Sequence, residues 1–375
     1  MEELGRILIA GGGIAGLTLA TAMRRRGFEP ELVERSATWE ALGAGIAVQP
    51  NGMRALRDLG IDTAIERAGA VVRRWLFRDR QGKVLCDIDL GCLWGDVGSF
   101  IGIERAKLQE TLLFAAGGTY YRLGIYITGL SQEGGRVSAS FSDGSSGQYD
   151  LVIGADGIFS TVRQLTLSTS PPVYGGQMVW RSLAPIRPGG LTSLQFWLGD
   201  GCFFGLCPVG DRQTYGFGNV TGPRMQDPPQ GRLGRLRDCF ASFGGAVREY
   251  LDSLDRDEQI HCGPIEWLEP GHWYTGRVVL IGDAAHASSP MMGQGGCTAM
   301  EDAVVLVEAL CSAETVENAL DAYVARRRPR VDRVQHESRA VGESLGLPPA
   351  IRDAALRARG EEMFRHRFGF LTPPP

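Results

Sequence analysis

The stretch ILIAGGGIAGLTLATAMRRRGFEPELVER, residues 7–35, decides the fold, because its parts form a strand, a glycine turn, a helix and a second strand in that order. Its first residues, ILIA, are an apolar run typical of a strand that is buried on both faces. Gly11, Gly13 and Gly16 follow with the G-x-G-x-x-G spacing of a dinucleotide-binding turn. The sequence therefore predicts a nucleotide site on a parallel α/β sheet.

Each residue of this turn has a physical role. The first glycine permits the tight turn, the second lets the backbone approach a pyrophosphate, and the third lets the helix pack on the strand. Free N–H groups at the helix start attract the anion. Glu34, followed by Arg35, ends the second strand at the place where a carboxylate accepts hydrogen bonds from a ribose diol. The pattern leaves NAD and FAD both open.

Composition indicates a globular protein with an ordinary core. The chain has 375 residues, 43% of them hydrophobic and 22% charged, and its net charge of -4 argues against a nucleic-acid partner. The one basic cluster, RRRPR at 326–330, is interpreted as a solvated helix end. No secretory segment or apolar run of membrane length is expected. Eight cysteines without paired spacing predict reduced thiols in a cytoplasmic protein and no metal site.

The middle of the chain changes from a parallel α/β pattern to a β pattern. Residues 42–51 are predicted to form a glycine-rich loop over a ligand, and residues 71–90 a hairpin. A helix is predicted over 102–114. Residues 180–219 are mainly β and rich in aromatic side chains, which favours either a sheet core or the floor of an apolar pocket.

A second glycine-rich stretch, DAAHASSPMMGQGGCTAMED at 283–302, follows another buried strand. A helix is predicted to begin near Thr298, just after Gly293, Gly295 and Gly296. Its free N–H groups and partial positive charge suit a phosphate or a reduced flavin. A further helix is predicted over 317–330, and the last residues, 370–375, are predicted to be an exposed end.

Three motifs together resemble those of the class A flavoprotein monooxygenases, which share the fold of para-hydroxybenzoate hydroxylase. They are GGGIAG at 11–16, GADGIFSTVR at 154–163 and GDAAHASSPMMGQGG at 282–296. The run GQGGCTAMEDA at 293–303 is similar to one in the urate hydroxylase and zeaxanthin epoxidase branches. The resemblance covers most of the chain, and its strength lies in the order and spacing of all three motifs.

The resemblance implies an α/β fold: a Rossmann-like FAD-binding domain with a parallel sheet, a mainly antiparallel β-sheet substrate domain, and C-terminal helices. The FAD-binding domain is expected to be discontinuous, over 1–70, 98–168 and 270–345. The substrate domain is expected over 71–97 and 169–269, and a helical tail over 346–375.

The resemblance also implies FAD bound tightly without a covalent bond. Glu34 is expected on the ribose and Asp283 near the ribityl chain and pyrophosphate, while Asp156 is associated with both FAD and NAD(P)H. The residues to which the resemblance assigns cofactor contacts are Gly11, Gly13, Ala15, Gly16, Glu34, Arg35, Ala47, Arg105, Gln109, Ile127, Asp156, Asp283, Gly293, Gly295, Gly296 and Cys297.

The substrate side departs from the urate hydroxylase pattern. That pattern has an arginine where Phe203 stands and an aspartate where Met291 stands, so two polar contacts are missing and urate is not the expected substrate. Tyr215 matches the pocket tyrosine of the family, and Arg181 is the cation expected to face the substrate, or else to form a structural salt bridge. His286 is expected either to pack behind the site or to support the flavin, and not to act as a base.

The activity implied is hydroxylation of an aromatic or heteroaromatic small molecule with NADPH or NADH and O2, by way of a flavin C4a-hydroperoxide. The expected partners are therefore a small substrate and O2, with the protein a monomer or homodimer. Two alternatives remain: a flavin-dependent epoxidase or reductase of an alkene or isoprenoid, and a non-catalytic flavin-binding redox sensor.

Overall fold

The computed structural model describes residues 4–39, 44–168 and 170–375. Residues 42 and 43 of the predicted loop lie outside this part. The strands of the described residues are β1 Ile7–Ala10, β2 Glu31–Glu34, β3 Gly45–Val48, β4 Ala70–Val71, β5 Arg74–Asp79, β6 Val84–Asp89, β7 Ile101–Glu104, β8 Tyr120–Leu123, β9 Ile127–Glu133, β10 Arg136–Phe141, β11 Ser146–Tyr149, β12 Leu151–Gly154, β13 Val173–Ala184, β14 Leu194–Leu198, β15 Cys202–Val209, β16 Gln213–Thr221, β17 Ile260–Trp267, β18 Tyr274–Thr275 and β19 Val278–Leu280.

Helices follow most of the parallel strands and form the end of the chain. The helices of the described residues are α1 Ile14–Arg25, α2 Pro50–Asp58, α3 Asp62–Ala68, α4 Gly91–Trp94, α5 Arg105–Ala115, α6 Thr161–Thr166, α7 Arg232–Cys239, α8 Ala246–Asp252, α9 Asp283–His286, α10 Gly295–Ser312, α11 Val316–Leu345 and α12 Pro349–Phe368. Among the described residues, no helix is both long enough and apolar enough to span a membrane.

A six-stranded sheet carries the first glycine motif. Its order is β18-β19-β12-β1-β2-β8, and all pairs are parallel except the edge strand β18 against β19. β1 lies between β12 and β2, with Ile7 opposite Leu151 and Leu8 opposite Glu31. Every residue of β1 is buried, as its apolar run predicts. The predicted α/β fold with a parallel sheet is confirmed.

A seven-stranded sheet forms the other half of the molecule. Its order is β17-β13-β16-β15-β14-β5-β6, and only the β14–β5 pair is parallel. Its strands come from residues 74–89 and 173–267, within the two segments expected for the substrate domain. The predicted mainly antiparallel sheet is confirmed, and the exact domain bounds stay a prediction. Two three-stranded sheets, β11-β10-β9 and β3-β7-β4, complete the strands.

Several predicted helix bounds were wrong. Residues 101–104 form β7, paired with β3 and β4, so α5 begins at Arg105 instead of at residue 102. α10 begins at Gly295, three residues before Thr298, because the glycines form its first turn. α11 runs to Leu345, beyond the predicted end at residue 330, with Pro329 inside it, and it packs on α10.

Two predictions of exposure hold only in part: Arg326 in the basic cluster and Pro373 and Pro374 at the end of the chain are exposed, but neighbouring residues are buried. In the basic cluster, Arg327 is fully buried and paired with acidic residues of α10, so the cluster is not a solvated helix end. At the end of the chain, Leu371 is fully buried among apolar residues. Apolar packing and arginine hydrogen bonds therefore hold residues 371–375 in place.

Candidate active site

The first glycine turn is shaped by contacts that only glycine permits. Gly11 has φ +106°, and a Cβ on it would meet Ala155 and Asp156. A Cβ on Gly16 would meet the Gly11 carbonyl. A Cβ on Gly13, the residue just before α1, would meet nothing within 4 Å. The turn is therefore packed on one side and open at the helix start, where an anion can approach.

The carboxylate of Glu34 lies at this turn. Its Oε2 accepts a hydrogen bond from Gly12 N at 2.6 Å, and its Oε1 accepts one from Ser36 N at 2.8 Å. The ring of Trp39 covers Gly12 and packs edge-on against Tyr121, with the ring centroids 5.4 Å apart. The acidic residue that the spacing predicts thus adjoins the glycine turn.

The Asp156–Gly157 motif supports the same turn from the next strand. Asp156 Oδ2 accepts hydrogen bonds from Thr161 N at 2.8 Å and Val162 N at 3.1 Å, so it caps α6. Arg35 reaches Thr161 Oγ1 at 3.2 Å and lies over the ring of Tyr126. Burial raises the pKa of Asp156. Its evident role is to hold the turn, and a cofactor contact stays a prediction.

Ile127 lies close to this region and is 2% exposed, because its side chain is part of the core. Any contact with the cofactor would therefore use its backbone. Gln109 is partly exposed and lies one turn along α5 from Arg105.

The second glycine-rich stretch forms a concave site around Asp283. Asp283 is exposed to solvent, yet burial by the surrounding protein raises its pKa, which the charge of Arg105 partly opposes. The carboxyl is thus accessible to solvent and has many protein atoms around it. Its Oδ1 lies 3.7 Å from the position of a Cβ on Gly295, at the start of α10. Asp283, Arg105 and the start of α10 are therefore brought together.

The two glycine-opened helix starts lie beside each other. A Cβ on Gly296 would lie 3.6 Å from Ile14 Cδ1, in the first turn of α1, and 3.3 Å from Ile46 Cδ1 on β3. Ala47 follows on the same strand. A Cβ on Gly282 would lie 3.1 Å from the Cβ atoms of both Ala15 and Ala299. Small residues thus let α1 and α10 approach closely enough for one extended ligand to contact both helix starts.

Neither helix start has a side chain to satisfy its free N–H groups. α1 and α10 both lack a side-chain cap and an acidic residue in the first turn. Gly293, just before α10, is exposed and has φ +64°. Both helix starts are thus available to an anionic ligand.

Cys297 differs from the expectation that it lines the flavin. Its thiol is 1% exposed, accepts a hydrogen bond from Gln49 N at 3.3 Å and packs against Gly52. Burial raises its pKa to about 12. The thiol therefore faces α2, which leaves only the backbone of Cys297 for a cofactor contact.

The seven-stranded sheet presents an aromatic face toward this cleft. Its other face, including Trp180 and Phe204, packs on α7 and α8. On the near face, Phe217 lies 5.0 Å from Tyr215 and 6.2 Å from Phe203, between ring centroids. Met291, from the segment before α10, packs against the buried cluster that includes Phe203, as Phe217 also does. The two positions where polar contacts are missing, 203 and 291, thus form one apolar wall.

Arg181 and Tyr215 are neighbours on that face. They lie on the paired strands β13 and β16, where Arg181 is opposite Phe217 and Tyr215 opposite Leu183. Burial raises the pKa of Tyr215, and the nearby positive charge of Arg181 partly opposes the increase. A Cβ on Gly45 would meet Tyr215, so β3 lies directly against it. The predicted substrate residues and the predicted cofactor strand therefore meet.

Sequence reasoning missed a buried charge cluster behind α10. Asp302 accepts hydrogen bonds from Gly282 N at 2.9 Å and Arg327 Nε at 2.8 Å, and His286 Nε2 lies 2.6 Å from it. Arg327 also donates to Glu301 at 2.8 Å. The signal was present as two adjacent acidic residues inside the apolar helix AMEDAVVLV, since buried acids need cationic partners.

A cleft of about 340 Å³ lies elsewhere, between α2, α3 and residues 90–100, and its lining includes none of the predicted site residues. Among the described residues, no group of His, Cys, Asp and Glu could hold a metal ion.

Comparison with known proteins agrees with this geometry. The sequence profile of the FAD binding domain matches residues 5–185 and 270–338. The chain is 34% identical to aurachin C monooxygenase/isomerase of Stigmatella aurantiaca over 342 residues, 90% of this chain and 88% of that one. It is 32% identical to the FAD-dependent urate hydroxylase of Klebsiella pneumoniae over 333 residues, 87% and 86% of the two chains.

A solved structure has the same fold. Klebsiella pneumoniae HpxO, complexed with FAD and uric acid, superposes with a TM-score of 0.91 at 29% identity, over 98% of this chain and 97% of that one. The chain therefore belongs to the class A FAD-dependent monooxygenases. It is an enzyme whose cofactor is FAD.

The residues present fit FAD. The open start of α1 at Gly13 suits the pyrophosphate, Glu34 suits a ribose, and the cleft at Asp283 leads to a second uncapped helix start. When bound, FAD supplies the redox chemistry with O2, and the protein supplies binding, orientation and exclusion of water.

Proposed function

We propose that this enzyme hydroxylates an aromatic or heteroaromatic small molecule with NADPH or NADH and O2. The observation that carries the proposal is the pair Arg181 and Tyr215 on the aromatic face of the sheet, with Tyr215 against β3. This pair supplies one cation and one hydroxyl next to the predicted cofactor cleft. The other predicted contacts with FAD are part of the same proposal.

The substrate is held by an anionic oxygen at one end and by apolar contact along its ring. A guanidinium binds carboxylate or phenolate oxygens with strong, charge-assisted hydrogen bonds. A phenolate bound in this way also makes its ring richer in electrons, which favours transfer of an electrophilic oxygen. Arg181 therefore orients the substrate and keeps the oxygen anionic.

The wall of Phe203, Phe217 and Met291 favours a substrate less polar than urate. Phe203 and Phe217 are in edge-on contact, and Met291 packs on the same apolar cluster. Aromatic side chains bind rings by offset or edge-on contact. A substrate with polar groups on every edge, as urate has, would leave some of them without partners against this wall. The substrate class is therefore a ring with one anionic edge and one apolar edge.

Turnover over a substrate panel tests the proposal. NADPH and NADH consumption is measured with aromatic acids, phenols and N-heterocycles, and hydrogen peroxide is measured to detect reduction without hydroxylation. We expect stimulation by aromatic acids or phenols. For the best substrate, Arg181→Met should raise KM roughly 10- to 100-fold, because a charge-assisted hydrogen bond is lost. Arg181→Lys is the matched control and should recover part of the loss.

Two outcomes would contradict the proposal. Stimulation of NAD(P)H consumption only by alkenes or isoprenoids would favour an epoxidase or reductase. Absence of stimulation by any compound of the panel would leave substrate hydroxylation without support and favour a redox sensor.

We further infer a reducing, cytoplasmic location from the eight cysteines, which are all free. The protein is proposed to act as a monomer or homodimer.

A further inference from the structure

The fully buried carboxylate of Glu301, on α10, is the centre of a larger network. Its Oε2 accepts a hydrogen bond from Arg327 Nη1 at 2.8 Å, and its Oε1 accepts one from Arg330 Nη1 at 3.0 Å. Arg54 Nη2 lies 3.6 Å from the same Oε1, and Asn51 Nδ2 donates to it at 3.3 Å. Three guanidinium groups and one amide thus surround a single carboxylate, which holds it in one arrangement.

On one side the network reaches residues 371–375, which we name the tail segment. Arg54 donates to the carbonyls of Thr372 and Pro373, each at 2.7 Å. Arg330 donates to the carbonyls of Pro373 and Pro374, each at 2.7 Å. Prolines have no N–H group and a fixed φ, so this segment is stiff and its carbonyls are available as acceptors. The tail segment therefore fixes the two outer arginines.

On the other side the network reaches residues 290–294, the loop before α10. Asn51 Nδ2 donates to Gln294 Oε1 at 2.9 Å, and Gln294 Nε2 donates to Gln49 Oε1 at 2.8 Å. Gln49 Nε2 in turn donates to the carbonyls of Met292 at 2.6 Å and Gly293 at 3.3 Å. The three amide side chains are at most 1% exposed. A continuous chain of hydrogen bonds, buried from Glu301 to Gln49 and exposed at Pro373 and Pro374, thus joins the tail segment to the carbonyls of this loop.

We propose that the tail segment, Glu301 and Gln294 are positioning elements of the flavin site. The loop contains Gly293 with φ +64° and is followed by Gly295 and Gly296, so its own side chains constrain it little. The side-chain amide of Gln49 donates hydrogen bonds to the loop carbonyls and restricts the loop. Asn51 connects this amide network to Glu301, whose position is fixed by the arginines and the tail segment. The inference rests on the proposed placement of the flavin ring at the start of α10.

The test compares arginines that all donate hydrogen bonds to the tail segment but pair with different acidic residues. Arg54→Met with Arg330→Met removes the link between the tail segment and Glu301, while Arg327 continues to pair with Glu301. Arg326→Met is the matched control, because Arg326 also donates to the tail, at the Pro375 carbonyl, but its acidic partner is Glu308 on the surface. Gln294→Met interrupts the network in the middle and leaves the arginines unchanged.

Two measurements are made on the full-length protein. Hydrogen exchange of residues 290–298 is followed with and without FAD, and FAD is titrated while its visible absorbance spectrum is recorded. We expect Arg54→Met/Arg330→Met and Gln294→Met each to speed exchange and raise the Kd for FAD roughly 3- to 30-fold, with a shifted spectrum. Arg326→Met should match the wild type in all three. If the double variant does not fold, Arg330→Met alone replaces it.

Unchanged exchange in the arginine variant, with or without an effect of Gln294→Met, would overturn the role of the tail segment. An equal effect in Arg326→Met would also overturn it, because the tail would then act as general packing. Failure of the flavin placement is recognised separately: Asp283→Ala would then keep its FAD and its spectrum. The exchange measured without FAD still decides whether the tail segment and the loop are coupled.

Discussion

The starts of α1 and α10 are both opened by glycines and lie beside each other, yet they are held in place differently. The turn before α1 is held by neighbours close in sequence or on adjacent strands, such as Glu34 and Asp156. The loop before α10 is hydrogen-bonded to the buried side chains of Gln49 and Asn51, and Asn51 contacts Glu301, which pairs with arginines of α11. A local motif therefore specifies the start of α1, the proposed nucleotide end, and long-range packing specifies the start of α10, the proposed flavin end.

The largest expected effect tests the charges behind α10. Asp302→Asn should lower the free energy of unfolding by about 3–5 kcal/mol, because Arg327 and His286 lose a buried charged partner. Urea denaturation at neutral pH measures the change. Glu308→Gln, which breaks an exposed ion pair with Arg326, is the control and should cost less than about 1 kcal/mol. If both variants lowered the free energy of unfolding by the same small amount, the buried charges around Asp302 would not stabilise the region behind α10.

The same cluster predicts a pH dependence of stability. Burial opposes ionisation of Asp302, but the charges of His286 and Arg327 outweigh it and lower the pKa to about 2, from an ordinary value of 3.8. A lowered pKa stabilises the fold above the ordinary value, and the contribution is lost as the pH falls through about 2. The wild type should therefore lose about 2 kcal/mol relative to Asp302→Asn between pH 4 and pH 2. A difference that stays constant over this range would contradict the assignment.

The next prediction compares Gly11 and Gly13 in the turn before α1: the first substitution should lower stability and the second should weaken FAD binding. Gly11→Ala should cost about 2–3 kcal/mol, because its φ is +106° and the new Cβ would meet Ala155 and Asp156. Gly13→Ala should leave the stability of the FAD-free protein within about 0.5 kcal/mol of the wild type, since nothing lies within 4 Å, yet weaken FAD binding. Denaturation and FAD titration of both variants measure this. Unchanged FAD affinity in Gly13→Ala would place the pyrophosphate elsewhere.

This contrast explains what the sequence could and could not predict. The glycine turn, Glu34 and the buried strands follow from spacing and apolar runs, which are local. The exposure of the basic cluster in α11 was misjudged because Arg327 pairs with Glu301 and Asp302 of α10, which lie about 25 residues away in the sequence. The tail was likewise misjudged, since nothing near it in sequence shows that Leu371 is buried.

The proposed substrate site is partly predictable from the sequence and partly dependent on long-range packing. The alternation along β13 and β16 is local, but the meeting of Arg181, Tyr215 and β3 depends on how the two sheets pack. The family resemblance, and not the spacing, led to Tyr215 and Arg181. Their roles in binding substrate stay a prediction.

The smallest effect concerns Tyr215. Tyr215→Phe keeps the ring against Phe217 and β3 but removes the hydroxyl beside Arg181. We expect KM for the substrate to rise about 5-fold, which corresponds to one hydrogen bond of about 1 kcal/mol, with FAD affinity unchanged. Steady-state kinetics and FAD titration measure the two quantities. A loss of FAD without a change in KM would assign Tyr215 to the cofactor and not to the substrate.

The origin of the oxygen in the product tests the central claim most directly. The enzyme is supplied with NAD(P)H, the best aromatic substrate and oxygen-18 gas, and the product is analysed by mass spectrometry. Substrate hydroxylation predicts one oxygen-18 atom per product molecule and none when only the water is labelled. A product without the label from O2, or consumption of NAD(P)H that yields only hydrogen peroxide, would contradict it.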